Sequence, residues 1–207
     1  MKKTFVIFIF LLFYHNFYAQ GKDIQDEISA IIKSKALTNA QKINRLNKFA
    51  DIAYKTRYIK ALLLISDFFL NIKKYKQAIP LYRRTARLGL IKNNYLVLYA
   101  CGLRLWYLVD RDEGALYLYQ AGVRAMRNSD WYFTIKIAKV FIKMERYKSA
   151  DKWLKRAGAS AAMRKSANGM FSVSKVYETM GAKYRNETLY WYTAGMNLAK
   201  KKSGIQY

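Results

Sequence analysis

One spacing constrains this chain more than its composition does. Tyr147, Ala150, Leu154 and Ala157 place a small residue between large ones at offsets of minus three, zero, plus four and plus seven. Tyr75, Ala78, Tyr82 and Thr85 repeat the pattern upstream. A second unit offers Ala115, Tyr119 and Gly122, with Asp112 in the leading place, and a fourth offers Tyr184, Glu187, Trp191 and Ala194. The centres at 78, 115, 150 and 187 are then 37, 35 and 37 residues apart. Such an interval holds two short helices and their turns. A small centre lets helices approach closely, and the large residue one turn later fills the groove beside it.

Partner helices precede each centre. YIKALLLISDFFLNI from Tyr58 and YLVLYACGLRLWYL from Tyr95 are strongly apolar. WYFTIKIAKVFIKM from Trp131 sets aliphatic residues at three- and four-residue spacing between Lys136, Lys139 and Lys143, an amphipathic helical pattern. Its alternation from Thr134 to Ala138 also fits a strand, but the neighbouring units favour helix. A less regular partner runs near Met170 to Met180. Gly89, Gly158 and Gly181 read as helix terminators, Asp130 as an N-cap, and Pro80 as a residue near the start of its helix.

The first residues, MKKTFVIFIFLLFYHNFYAQ, join two lysines to an apolar run too short for a comfortable bilayer crossing. Residues 1–19 are expected to be a secretory signal peptide, which makes the chain exported, and periplasmic or secreted if bacterial. Phe17 at the minus-three position of cleavage after Ala19 leaves an uncleaved N-terminal membrane anchor as the alternative. Cleavage removes His15, the only histidine, and leaves 36 basic against 13 acidic side chains. Cys101 is the only cysteine, so no internal disulfide can form.

The units resemble the tetratricopeptide-like helical-repeat family over roughly residues 59–200. In the third unit Ala138, Phe141, Tyr147, Ala150, Leu154 and Ala157 stand where that family places small and large packing residues. The first unit has Leu62, Ile65, Phe69, Ala78 and Tyr82, with Ser66 in a usual Gly or Ala place and Thr85 in that of the final Ala. The second has Trp106, Ala115 and Tyr119, with Gly102 one place from ideal. In the fourth, Lys175, Glu178 and Glu187 occupy expected small or apolar positions. The resemblance implies an all-α fold, a right-handed solenoid of antiparallel helical hairpins with about four repeat-like units. It also implies a protein- or peptide-binding role. The expected organisation is an N-terminal helical cap or diverged hairpin over 22–57, a repeat array over 58–202 and a tail over 203–207. Related all-helical repeat families remain alternatives.

Catalytic patterns are missing from the sequence. Without His15 there is no Ser-His or Cys-His pair, and there is no CxxC pair or phosphate-binding glycine loop. Cys101 reads as a packing residue, and Asp110, Asp112 and Glu113 as a polar turn and helix start. No catalytic residue, cofactor or metal is assigned, and the chain reads as a non-enzymatic scaffold. Its formal charge of +25 favours anionic partners. In the family geometry the first helix of each pair lines a concave surface. That makes Arg104, Lys136, Lys139 and Lys143, with Tyr107 and Tyr132, the candidate contacts for another protein or peptide, acidic by charge complementarity. Arg83, Arg84, Arg87, Lys148, Lys152, Lys155 and Arg156 fall on second helices and read as a solvated face. The alternatives are a basic protein associated with anionic membrane or envelope polymer, and a nucleic-acid-binding repeat protein if the N-terminal segment is not an export signal. The oligomeric state is not legible.

Overall fold

A computed structural model describes residues 23–109 and 111–203. The expected export segment, its His15 and the tail beyond Ser203 lie outside the described residues. Among those residues every regular element is helical, and Thr134 to Ala138 are helix. Residues 23–33 form α1. They are followed by α2 (Asn39–Lys55), α3 (Ile59–Asn71), α4 (Tyr75–Ile91), α5 (Tyr95–Leu108) and α6 (Arg111–Arg127). Then come α7 (Trp131–Lys143), α8 (Tyr147–Met163), α9 (Ala167–Thr179), a 3₁₀ turn (Ala182–Tyr184) and α10 (Arg185–Ser203). The fold is all-α, helical hairpins in a repeat of about four units.

The period is 36 residues. First helices begin at Ile59, Tyr95, Trp131 and Ala167, and second helices at Tyr75, Arg111 and Tyr147, each 36 after the last. Asn39 at the start of α2 lies 36 before Tyr75 and carries the same phase. This corrects the second unit by one residue: Gly114, not Ala115, matches Ala78 and Ala150, and Arg111 takes the leading place. A one-residue slip turns a side chain about 100° around a helix. Tyr82, Leu118 and Leu154 are therefore fully buried, while Tyr119 is 44% exposed. Gly102 stands in register with Ala138. In α9 buried Ser174 fills the small position expected at Lys175, and Glu178 is exposed. Gly181 and the 3₁₀ turn delay α10 by two residues. Thr188 then replaces Glu187 at the small centre, and Trp191 matches Trp153.

Most helix ends in the chain turn on residues other than glycine. Arg57, Asn93, Ser129 and Lys165 have positive φ between helix pairs, 36 residues apart, and Lys73, Glu145 and Gly181 have it within pairs. The Arg57 amide donates to Tyr54 O and the Tyr58 amide to Ala53 O, the double bond of a Schellman ending. The same pair of bonds recurs after Lys73, Ser129, Glu145 and Lys165. Of the three expected terminators only Gly181, φ 94°, ends a helix. Gly89 and Gly158 lie buried within α4 and α8, which continue to Ile91 and Met163. Pro80 falls in the second turn of α4 on an exposed edge, later than expected. Its missing N–H leaves Lys76 O without its helical donor.

The chain divides into two compact units at Gly89–Leu90. In the first, Ile28, Leu46, Leu62, Ile65, Phe69 and Tyr82 form a fully buried core. Tyr58 Oη donates to Gln25 Oε1 at 2.8 Å, Lys42 Nζ to Ile32 O at 2.8 Å, and Tyr82 Oη to Asp67. In the second unit the second helices interlock through tryptophan and glycine. The Trp153 ring lies on Gly122 and the Trp191 ring on Gly158, so close that a Cβ on either glycine would fall 2.4–2.9 Å from ring carbons. Ser174 Oγ ties α9 to α10 by donating to Thr188 O at 2.8 Å. Tyr177 Oη ties α9 to α8 by donating to Asp151 Oδ1 at 2.8 Å.

Candidate functional site

The α7 helix starts where Asp130 Oδ1 accepts the Phe133 amide at 2.9 Å, as the N-cap expectation requires. Asp130 Oδ2 also accepts Tyr95 Oη at 2.9 Å, and this hydrogen bond, ahead of burial, raises the pKa of that phenol. The Tyr95 and Tyr99 rings meet Phe133 edge-on, at 4.7 and 5.2 Å, and fix α7 beside α5. Phe133, Ile137, Ala138, Val140 and Phe141 face the core. The opposite face is left to Tyr132, Lys136, Lys139 and Lys143, all exposed. Their offsets of four, three and four residues form one continuous stripe. Lys136 Nζ sits 4.8 Å from the Tyr132 ring centroid, a cation–π contact, and Tyr132 remains 59% exposed.

The six candidate residues do not all share that stripe. Tyr107, 73% exposed, occupies on α5 the position of Lys143, with its ring 4.4 Å from that of Trp106. Arg104 is half-buried, and its Nη1 donates to Ala100 O at 3.4 Å. It matches buried Val140, one step around the helix from the stripe. Position by position the stripe is Leu96, Ala100, Leu103 and Tyr107 on α5, and Asn168, Ser172, Lys175 and Thr179 on α9. Lys175 therefore extends the basic stripe beside Lys139, a role hidden while it was placed at a small-residue position. The 36-residue phase would have found it.

Second-helix cations are used differently. Arg84 pairs with Asp51 at 3.0 Å and lies over the Tyr54 ring at 5.4 Å. Lys155 pairs with Asp151 at 3.0 Å and lies 3.9 Å from Glu187, and the Asp151 hydrogen bond raises its pKa. Arg156 covers the Trp153 ring at 4.8 Å. Arg146 pairs with Asp112, which gives that member of the acidic turn a structural partner. Asp110 lies outside the described residues. Among the described residues no carboxylate pairs with Lys136, Lys139 or Lys143. No group of three His, Cys, Asp or Glu that could hold a metal occurs there, and no helix there is long and apolar enough to cross a membrane. Cys101 is fully buried.

These features define an all-helical repeat protein built from helical hairpins, consistent with the tetratricopeptide-like resemblance of the sequence. The fold is similar to that of MamA: one crystal structure of it aligns over 93% of this chain and 97% of that one, with a TM-score of 0.50 and 13% identity. A second MamA crystal structure aligns over 82% and 99%, with a TM-score of 0.44 and 15% identity. No protein-family description and no curated protein matches the sequence.

Proposed function

We propose that the chain is an exported, non-enzymatic scaffold that binds an acidic segment of another protein on the first-helix face. The observation that carries the reading is the α7 stripe of three lysines without a carboxylate partner among the described residues, flanked by exposed Tyr132. Like charges three or four residues apart on a helix cost about 0.2–0.5 kcal/mol per pair, and an anionic ligand relieves that repulsion as it binds. Tyr132 and Tyr107 supply rigid amphipathic contact area beside the charges. Carboxylates of a partner would accept hydrogen bonds from the ammonium groups, with orientation set by the aromatic rings. Export rests on the pattern of residues 1–19.

The test is affinity capture of the tagged chain from its native envelope extract, at low and high salt, beside Lys136→Gln/Lys139→Gln/Lys143→Gln. Gln has nearly the helix propensity of Lys and removes the like-charge repulsion, so the triple variant should keep or slightly raise its thermal midpoint. One stoichiometric protein retained by the parent and lost by the variant supports the reading. Equal retention by both removes the α7 site. Capture of lipid or polymer instead would recast the charge as a general adhesive for the envelope.

A further inference from the structure

The last described helix carries an exposed face without charge. From Thr188 to Ala199 α10 has no charged residue, although a quarter of all residues are charged. Trp191 and Gly195 face inward. Outward lies a shallow groove lined by Asn186, Leu189, Tyr190, Thr193, Ala194 and Asn197. Leu189 is 54% and Tyr190 64% exposed, and Tyr192 and Met196 extend the apolar surface along one edge.

We infer that this face binds a second copy of the chain, α10 against α10 and antiparallel about a two-fold axis. The six lining residues are arranged symmetrically about the midpoint between Trp191 and Tyr192. A two-fold axis there sets Asn186 opposite Asn197, Leu189 opposite Ala194, and Tyr190 opposite Thr193. Each bulky side chain meets a small one, as ridges meet grooves, and the asparagine amides meet at the rims, where they can exchange hydrogen bonds. A two-fold contact requires such self-complementarity. The antiparallel order also holds the Lys200 and Lys201 clusters of the two copies at opposite ends, where a parallel order would bring them together.

A head-to-tail copy fits poorly. The positions that receive the next tryptophan, Gly122 and Gly158, become Met196 on α10. Where α8 presents Trp153, the same phase gives exposed Arg45 on α2. The surface offered by one helix is at the low end of stable interfaces, on the order of 1,000 Å² for both partners.

Sedimentation velocity of the full chain over a range of concentrations should show a monomer–dimer equilibrium. Salt should tighten it by screening two strongly basic copies, the opposite of its effect on an acidic partner. Thr193→Lys, at an exposed helical position, should give monomer with an unchanged circular dichroism spectrum. Geometry is tested by mixing Asn186→Cys with Asn197→Cys under mild oxidation. The mixture should form an intermolecular disulfide. Either variant alone should not, because like positions would stand about 16 Å apart along the axis. A monomer at every concentration, a dimer that survives Thr193→Lys, or a disulfide formed as readily by one variant alone would each overturn the inference.

Discussion

Gly114→Ala distinguishes the 36-residue register from a register displaced by one residue, because the two predict opposite signs. In the structure a Cβ on Gly114 would lie 2.4 Å from Trp106 Cβ, 2.5 Å from its N and 2.6 Å from its Cα. Those atoms belong to the α5 backbone or adjoin it and cannot rotate away. Restoring carbon contacts to about 3.5 Å requires α5 and α6 to part by about 1 Å, which weakens dispersion contacts along both helices. Because the clash is with backbone that cannot give, the overpacking cost falls in the upper part of the usual range, about 2–3 kcal/mol. Against it stands the helix propensity gained on replacing Gly by Ala, about 1 kcal/mol. The expected net effect is a loss of about 1–2 kcal/mol, or roughly 2–8 °C in midpoint for a chain of this size. With Ala115 at the centre, Gly114 would lie off the contact and the same change would stabilise by about 1 kcal/mol. Thermal and urea unfolding of the two proteins by far-ultraviolet circular dichroism measures the difference. A midpoint equal to or above the parent's would refute the close approach and the register with it.

Other changes test other parts of the argument. Glu145→Gly removes a Cβ from a left-handed helix end and should stabilise by about 1 kcal/mol, raising the urea midpoint. Trp153→Ala should cost about 3–5 kcal/mol in denaturant titration, because it empties the contact on Gly122 and removes the ring that meets Tyr119 edge-on at 5.3 Å. Burial, then the Asp151 carboxylate, raises the pKa of the Tyr177 phenol far above 10.0. Its stabilisation is complete below pH about 10, the unfolded value, and falls as pH rises further, because the unfolded state releases the proton first. Tyr177→Phe should therefore destabilise the chain at pH 8 through loss of the Asp151 hydrogen bond, and its cost should shrink at pH 11. A cost that stays constant across that range would sink the assignment.

The α7 lysine stripe was legible in the sequence because Lys136, Lys139 and Lys143 fall between aliphatic residues of unmistakable helical period. Arg104 falls one residue off the stripe and Lys175 joins it for one shared reason. Both depend on register, and the small and aromatic residues of α6 and α10 suggest one displaced from the 36-residue phase. Gly114 and Ser174 are also small, and a pattern of small residues cannot choose between neighbours such as Gly114 and Ala115. Burial can, since rotation by one residue moves Tyr119 out of the core and Leu118 into it.

The dimer face was less legible still. Tyr190, Trp191 and Tyr192 look equally suited to a core, and only the packing of Trp191 on Gly158 decides which of the three turns inward.

By itself the sequence determined the helical class, the hairpin as the repeating unit, the restriction of histidine to His15 and the excess of positive charge. These follow from local periodicity and composition, which each short segment carries on its own. Tertiary structure decided the exact phase of the repeat, the ends of the helices and the division of cations between paired and unpaired. Six helix ends use Arg57, Lys73, Asn93, Ser129, Glu145 and Lys165 in a left-handed conformation that only Asn93 among them favours. Packing of the flanking helices closes each turn there, and its gain exceeds the local cost of about 1–2 kcal/mol. That gain exists only when both helices are present.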